Sequence, residues 1–152
     1  MNFENKFYGP TSLRTALTHS RNVVTIKLLQ KIGVQKTIEL ARKLGITAPL
    51  AANLSIALGS SGLTLYEITG AYATFANLGK RIKPTAVRYI EDRKGNILYT
   101  AKPVAEQVMP EGVSYIVTSL LQSVVQHGTG KKVKVLNRPV AGKTGTTNQG
   151  RN

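Results

Sequence analysis

Hydrophobic residues recur at helical spacing in five stretches of the chain. Apolar residues three and four positions apart predict α-helices, and these are expected over residues 12–18, 23–32, 35–44, 64–78 and 113–127. Glycines follow four of these stretches, as is typical of helix C-termini, at Gly33, Gly45, Gly79 and Gly128. The pattern therefore predicts a chain that is mostly helical.

The fourth of these helices has a start signal as well as a stripe. Thr64 is followed three residues later by Glu67, which is the spacing of a capping box. Two apolar faces are expected to be buried in the core: Leu65, Ile68, Tyr72 and Phe75 on the fourth helix, and Val113, Ile116, Val117, Leu120, Leu121 and Val124 on the fifth.

The spacing changes to alternation after Pro84. Residues 85–92 alternate loosely, Lys94-Gly95-Asn96 supplies a turn, and residues 97–99 return, so a polar, peripheral β-hairpin is predicted. Residues 102–110 contain two prolines and are predicted to be a linker. The apolar run that enters residues 139–147 predicts one more strand. The expected class is α+β, mostly helical with a small hairpin and one motif-bearing strand.

This last strand carries the triplet Lys143-Thr144-Gly145, for which two enzyme classes are candidates. A phosphate-binding loop requires a glycine five positions before the glycine of the Gly-Lys step, but Asn137 stands there and Pro139 stiffens the segment, so this interpretation fails. The triplet is also the third motif of the penicillin-recognising serine enzymes. An exposed turn with a solvated lysine remains the alternative, because triplets recur by chance.

Two loops have similarly open interpretations. Ser20-Arg21-Asn22 lies between two predicted helices; it is either an ordinary interhelical loop whose Ser and Asn cap helices or a Ser-x-Asn motif that projects into a cleft. Gly128-Thr129-Gly130 and the lysines after it are either a solvated basic turn or the rim of a cleft.

Composition narrows the possible partners without choosing among them. The 152 residues include 21 Lys and Arg against 7 Asp and Glu, a net charge of +14, which favours nucleic acid, anionic lipid or an acidic cell-wall polymer. There is no cysteine and there are two histidines, so no metal site and no cofactor are expected. No apolar run is long enough to span a membrane, and residues 1–6 lack a signal sequence.

Taken together, the motifs are similar to one family. The chain resembles the transpeptidase domain of the class A, bifunctional penicillin-binding proteins. The matching segments keep the family's order: 8–17, 20–22, 57–60, 63–77, 128–130 and 141–147. The most specific of them are Ala71-Tyr72-Ala73-Thr74-Phe75-Ala76-Asn77 and Ala141-Gly142-Lys143-Thr144-Gly145-Thr146-Thr147.

The resemblance implies roles for individual residues. Ser20 is expected to relay a proton towards the leaving amine, and Asn22 to hold a substrate carbonyl. Lys143 is expected to favour the substrate's C-terminal carboxylate, and the hydroxyls of Thr144 and Thr146 to bind it. The Thr146 N–H is expected to be one oxyanion-hole donor. The substrate-binding residues expected are Thr144, Gly145, Thr146 and Thr147.

The resemblance also implies that parts of the family's catalytic domain lie outside this chain. The family's nucleophile lies in a Ser-x-x-Lys motif, and none of the eight serines here has lysine three residues on. Residues 1–152 are therefore expected to be a partial transpeptidase domain, without the Ser-x-x-Lys region, the strands after Lys-Thr-Gly, the glycosyltransferase domain or the membrane anchor. The parent is expected on the extracytoplasmic face of the bacterial inner membrane, where it binds peptidoglycan stem peptides and β-lactams; the fragment is expected to be inactive.

Three other accounts stay open. A β-lactamase or D,D-carboxypeptidase would share the same cleft motifs. A basic module that binds nucleic acid or another polyanion would explain the charge, but the chain has no recognised nucleic-acid motif. A non-catalytic remnant would bind the parent protein or the cell-wall polymer.

Overall fold

A computed structural model describes residues 8–145 as five α-helices and two small antiparallel sheets. The α-helices are α1 (Leu13–Thr18), α2 (Asn22–Ile32), α3 (Val34–Lys43), α4 (Leu65–Ala76) and α5 (Glu111–His127). Two short 3₁₀ helices span Leu54–Leu58 and Lys131–Leu136. The α+β class predicted from periodicity is confirmed, and none of the helices in this part of the chain is long and apolar enough to cross a membrane.

Each sheet has two strands. One is the predicted hairpin, in which β2 (Tyr89–Glu91) pairs with β3 (Ile97–Thr100), with a register irregularity after Ile90. The other pairs β1 (Lys80–Ile82) with β4 (Ala105–Gln107). This second sheet corrects the prediction of a linker over residues 102–110, because its two strands are distant in sequence and neither alternates strongly enough to be recognised alone.

The predicted capping box at the start of α4 is confirmed. The Thr64 hydroxyl accepts a hydrogen bond from the Glu67 N–H at 3.2 Å, and the Glu67 carboxylate accepts one from the Thr64 N–H at 3.1 Å. The same carboxylate accepts from the Thr47 N–H, the Thr47 hydroxyl and the Ala48 N–H at 2.8–2.9 Å. These bonds, led by the Thr47 N–H, lower the pKa of Glu67 to about 2.

The face that α4 buries differs from the one predicted. Its buried residues are Glu67, Ala71 and Thr74, and Ala71 packs into a cluster with Leu44, Ile46 and Met109. Leu65 is 81% exposed. Hydrophobic spacing selected the wrong face because the polar members of the buried face are satisfied internally: the Thr74 hydroxyl donates to the Gly70 carbonyl, and Glu67 is held as described above.

Helix α5 crosses the chain's interior. Val124 is fully buried, and the buried Ser114 hydroxyl donates to the Phe75 carbonyl at the end of α4. Of the stripe predicted to be buried, Leu121 and Val124 are buried, whereas Val113 and Ile116 are exposed. The helix therefore uses only part of its apolar surface within the described residues.

The motif-bearing strand predicted over residues 139–147 forms no strand ladder in the portion that is described, 139–145. Its backbone contact there is a single hydrogen bond from the Gly142 N–H to the Leu121 carbonyl at 3.4 Å. A ladder needs a neighbouring strand, and within residues 8–145 the four strands pair only with one another.

Candidate functional site

The three sequence motifs meet where α1 and α5 pack together, and one arginine fastens this pair of helices. The Arg14 guanidinium donates to the Ser119 carbonyl at 3.0 Å, to the Ser119 hydroxyl at 3.2 Å and to the Ser123 hydroxyl at 2.7 Å. Because the guanidinium presents several donors in a fixed plane, these three bonds set the position of α1 along α5. The loop that follows α1 is thereby set against the C-terminal end of α5.

This loop places Ser20 in an unusual backbone conformation. The Ser20 N–H donates to the Leu17 carbonyl and the Arg21 N–H to the Ala16 carbonyl, which together form a Schellman motif at the end of α1. Ser20 occupies the left-handed position of this motif with φ of 54°, where glycine is usual and another residue costs about 1–2 kcal/mol. Strain of this kind is common at functional sites.

The cap interpretation of Ser20-Arg21-Asn22 is not supported for the two side chains that suggested it. Arg21 stands at the N-cap of α2 and makes no side-chain cap bond, and Asn22 is the first residue of the helix. The Ser20 hydroxyl and the Asn22 amide make no hydrogen bond to another described residue. Both residues are exposed, so both side chains are available to a ligand.

Arg21, for which the motif gave no role, ties the loop to the segment before α1. Its guanidinium carbon lies 3.8 Å from the centroid of the Tyr8 ring, and it donates to the Thr11 hydroxyl at 2.9 Å. The contact is a cation–π stack that, with the hydrogen bond to Thr11, holds the loop against the segment before α1.

The turn after α5 packs against the same loop without room for a side chain. A Cβ added to Gly128 would lie 2.0 Å from the Thr18 carbonyl oxygen. The Thr129 N–H donates to this carbonyl at 3.3 Å, and the Gly130 N–H returns to the Val124 carbonyl. Glycine at position 128 is therefore required by the close approach of two backbones.

Thr129 also contacts the Lys-Thr-Gly segment. Its hydroxyl lies 2.6 Å from the Thr144 hydroxyl. The Lys143 ammonium donates to the Thr144 carbonyl at 2.7 Å. Thr129 thus joins the loop that contains Ser20 to the segment that contains Lys143, and a single turn of two glycines and a threonine brings the two motifs together.

Lys143 is a partly buried cation without an opposite charge. Burial lowers the pKa of Lys143. In the part of the chain that the structure describes, the ion pair present is Arg81 with Glu106, and Lys143 is not paired with a carboxylate. An anion that entered this site would gain a partly desolvated countercharge.

The other residues of the motif are Gly145, Thr146 and Thr147. Gly145 is exposed, and a Cβ added there would meet no atom within 4 Å, so packing against described residues does not explain a glycine. Thr146 and Thr147 lie outside the described residues. No group of three or more metal-binding side chains occurs within residues 8–145.

One residue of this site, Arg14, was not predicted from the sequence, and a second, Thr129, was predicted only as part of a possible cleft rim. Arg14 has no local signal, since its partners lie 105 and 109 positions away. Thr129 had a weak one: its two flanking glycines suggested a cleft rim. The structure adds the reason for the glycines, which is the contact of Gly128 with Thr18.

An apolar groove of about 450 Å³ lies beside the site. It runs between α4 and α5 and is lined by Ile68, Tyr72, Phe75, Thr118, Leu121 and Ala141. Tyr72 and Phe75 pack edge to face with ring centroids 6.0 Å apart. The aromatic face of α4 is open to this groove. Its lining residue Ala141 lies two residues before Lys143 in the sequence.

Comparison with known proteins identifies the family. A family model described as "Penicillin binding protein transpeptidase domain" matches residues 2–152. Penicillin-binding protein 1A of Aquifex aeolicus is 40% identical over 146 residues, which are 96% of this chain and 20% of that protein. The chain thus spans about one fifth of the length of this curated relative.

Solved structures agree with the family match. Penicillin-binding protein 1A from Haemophilus influenzae superimposes with a TM-score of 0.87 at 25% identity, over 94% of this chain and 27% of that one. The ceftriaxone acyl-enzyme complex of penicillin-binding protein A from Mycobacterium tuberculosis has a TM-score of 0.77 at 20% identity, over 90% and 35%. At this identity the second likeness shows the fold alone.

Proposed function

Because the chain belongs to the penicillin-binding protein transpeptidase family, we propose that it forms one wall of a D,D-transpeptidase cleft that cross-links peptidoglycan. The observation that carries the proposal is Thr129, which contacts the last residue of α1 at the Thr18 carbonyl, two residues before Ser20, and the Lys143 segment at Thr144. Two motifs that are 123 positions apart are thereby held on either side of one turn.

The reaction is an acyl transfer between two stem peptides. A serine attacks the D-Ala-D-Ala amide, terminal D-Ala leaves with the proton that the serine gives up, and an acyl-enzyme ester remains. An amine of a second stem then attacks the ester, forms the new amide and releases the serine. The attacking serine is supplied by parts of the parent protein outside residues 1–152, since no serine here has lysine three residues on.

Ser20 and Asn22 serve the leaving-group side of the cleft. The Ser20 hydroxyl relays a proton towards the leaving amine, and the Asn22 amide holds a carbonyl of the substrate. This assignment is supported by their exposure and by the absence of hydrogen bonds from either side chain to another described residue. The left-handed backbone at Ser20, held by the Schellman motif at the end of α1, sets the direction of its Cβ.

Lys143 and the threonines around it serve the carboxylate side. The substrate's C-terminal carboxylate is attracted by the Lys143 cation and bound by the Thr144 and Thr146 hydroxyls, and the Thr146 N–H donates to the developing oxyanion. The threonine at 147 and the glycine at 145 complete the edge along which the substrate lies. Lys143 is partly buried and forms no ion pair within residues 8–145, which supports its role in attracting an anion.

The proposal extends to ligands and location. β-Lactams present a carboxylate and a reactive amide in the same relation as the terminal dipeptide, and the Mycobacterium tuberculosis structure is an acyl-enzyme complex of this kind. The parent protein acts on the extracytoplasmic face of the bacterial inner membrane, where uncross-linked stems are found. The chain by itself is inactive.

A fluorescent penicillin followed by denaturing electrophoresis tests the proposal. The 152-residue chain should remain unlabelled, whereas a chimaera in which residues 8–145 replace the matched segment of the Aquifex aeolicus relative should be labelled. Lys143→Ala in the chimaera should slow labelling by about 100-fold or more, and Ser20→Ala by a similar factor. Lys102→Ala, which removes an exposed lysine, is the matched control.

Two results would contradict it. A covalent band on the isolated chain, mapped to any of its serines, would place the nucleophile inside residues 1–152. Equal labelling rates for Lys143→Ala and Lys102→Ala would remove Lys143 from the cleft.

A further inference from the structure

The two segments that build the site contain no carboxylate at all. Between Glu4 and Glu39, and again after Glu111, the chain has no Asp or Glu. The cations of these described segments are Arg14, Arg21, Lys27, Lys31, Lys36, Lys131, Lys132, Lys134, Arg138 and Lys143. None of these cations forms an ion pair within residues 8–145, where the salt bridge present is Arg81 with Glu106.

Four of these cations form a surface that we call the basic rim: Lys131, Lys132, Lys134 and Arg138. All four are exposed, and none of their side chains hydrogen-bonds to another described residue. Three of them lie on the 3₁₀ helix Lys131–Leu136, in which residues three apart share a face. Lys131 and Lys134 therefore project on the same side.

The backbone on both sides of the basic rim is hydrogen-bonded, although the side chains of the rim make no hydrogen bonds to other described residues. On one side the buried Gly130 packs against Val124 and Val125, and it accepts a hydrogen bond from the Val133 N–H. On the other side the Gly142 N–H returns to the Leu121 carbonyl. A charged surface with a fixed backbone can hold a ligand in a fixed place relative to the cleft.

The basic rim also begins beside the cleft. Lys131 is two residues from Thr129, a separation of at most about 7 Å between Cα atoms, and the Thr129 hydroxyl touches Thr144. A linear ligand whose end is bound at Lys143 would extend either across the basic rim or away from it. If that ligand is a polyanion, the positive charge of the basic rim favours the path across the rim.

We infer that the basic rim binds the carboxylates of an uncross-linked peptidoglycan strand and guides it to the Lys143 cleft. The inference rests on the proposed function and adds a second, electrostatic contact to it. Every uncross-linked stem ends in a carboxylate, so a strand that carries many stems is a polyanion. Binding of one stem at Lys143 would bring neighbouring carboxylates to the rim, and the rim would raise the association rate.

Fluorescence anisotropy with labelled uncross-linked peptidoglycan strands tests this on the 152-residue chain. At 150 mM salt, where charges more than about 8 Å apart are screened, K131E/K132E/K134E should weaken binding by about 10-fold. The control R88E/K94E/K102E changes the net charge equally in the exposed β2–β3 region and should weaken it by less than about 2-fold. Strands whose carboxylates are converted to carboxamides should bind about 10-fold less tightly to the unaltered chain.

Each other outcome counts against the inference. Equal losses for the two triple variants would mean that net charge alone attracts the strand, and full binding of the carboxamide strands would exclude carboxylate recognition. Tighter binding to vesicles of anionic lipid, which the exposed Val135 and Leu136 could enter, or to duplex DNA, would assign the rim to another partner.

Folding and function are checked separately. Far-UV circular dichroism tests each variant, and if the glutamate triple does not fold, K131Q/K132Q/K134Q replaces it with an expected loss of about 3-fold. Penicillin labelling of the unaltered chimaera reports on the proposed function without any strand. Labelling without rim-dependent binding would overturn the inference alone, and absent labelling would overturn the function.

Discussion

The α1–α5 contact and the β2–β3 hairpin are both short structures, and they are held by opposite means. The first depends on residues far apart in sequence: Arg14 with Ser119 and Ser123, and Thr18 with Thr129. The second depends on neighbours, since Asp92 accepts hydrogen bonds from the Lys94 and Asn96 N–H groups at its own turn. Every residue of β2 and β3 is exposed.

The difference shows which region of the molecule depends on tertiary contacts for its geometry. The side-chain hydrogen bonds of this hairpin are local, and its exposed strands contribute little buried surface. The α1–α5 contact forms only when the chain is folded, and it holds Thr18, two residues before Ser20, against Thr129, whose hydroxyl contacts Thr144. Substitutions of the same kind should therefore have unequal effects in the two regions.

The largest effect is expected at Gly128. Gly128→Ala brings a Cβ against the Thr18 carbonyl, and because this neighbour is backbone, overpacking should cost about 3 kcal/mol of unfolding free energy. Gly112→Ala lies in the first turn of α5 with open space around it and should be neutral or stabilising by up to about 1 kcal/mol. Urea unfolding of both variants measures this; equal stabilities would mean that the backbones do not approach as described.

A smaller effect is expected at Arg14. Arg14→Ala removes the hydrogen bonds to Ser119 and Ser123 and should cost about 1–2 kcal/mol, whereas Arg88→Ala in the hairpin region should stay within about 0.5 kcal/mol. A double-mutant cycle with Ser123→Ala isolates the contact. A coupling energy near zero would contradict the role of Arg14 in joining the two helices.

A third effect depends on pH. Hydrogen bonds lower the pKa of Glu67 from its ordinary value of 4.5 to about 2. A depressed carboxyl pKa stabilises the fold fully above the unfolded value, so this contribution should be lost as pH falls from about 4.5 to about 2. Thermal melts across this range should show a steeper decline for the unaltered chain than for Glu67→Gln.

The hairpin supplies the comparison for this titration. Hydrogen bonds from Asn96 also lower the pKa of Asp92, but its partners are all in its own turn. Asp92→Asn should therefore change the pH profile of global unfolding less than Glu67→Gln does. A larger change for Asp92→Asn would mean that the hairpin is more strongly coupled to the core than its exposure indicates.

The sequence predicted the secondary-structure elements well, but it predicted poorly which faces of the helices are buried. Periodicity predicted the five α-helices and the hairpin, and the Thr64 capping box was readable from two residues. It chose the wrong side of α4, because Thr74 and Glu67 are buried with their polar groups satisfied. It missed the pairing of β1 with β4, in which Arg81 stands opposite Glu106, since pairing of distant segments has no local signature.

The candidate site was predicted to a similar extent. The residues resembling the family's motifs were named from the sequence, and the family itself is confirmed. The roles of Ser20, Asn22, Lys143, Thr144, Gly145, Thr146 and Thr147 remain predictions. The left-handed conformation of Ser20 was not foreseen, because a serine between two helices gives no sign that it ends the first helix rather than beginning the second.

Residue order by itself determined the helices, the turn of the hairpin, the excess of positive charge and the identity of the Lys-Thr-Gly segment. Each of these depends on side chains within a few positions of one another or on composition. Only the tertiary structure decided that Thr129 contacts both Thr18 and Thr144, that Gly128 must lack a side chain and that Lys143 is partly buried and forms no ion pair within the described residues. Those features depend on which backbones approach each other across more than a hundred residues. Interactions between residues that are neighbours in the sequence do not determine such long-range contacts.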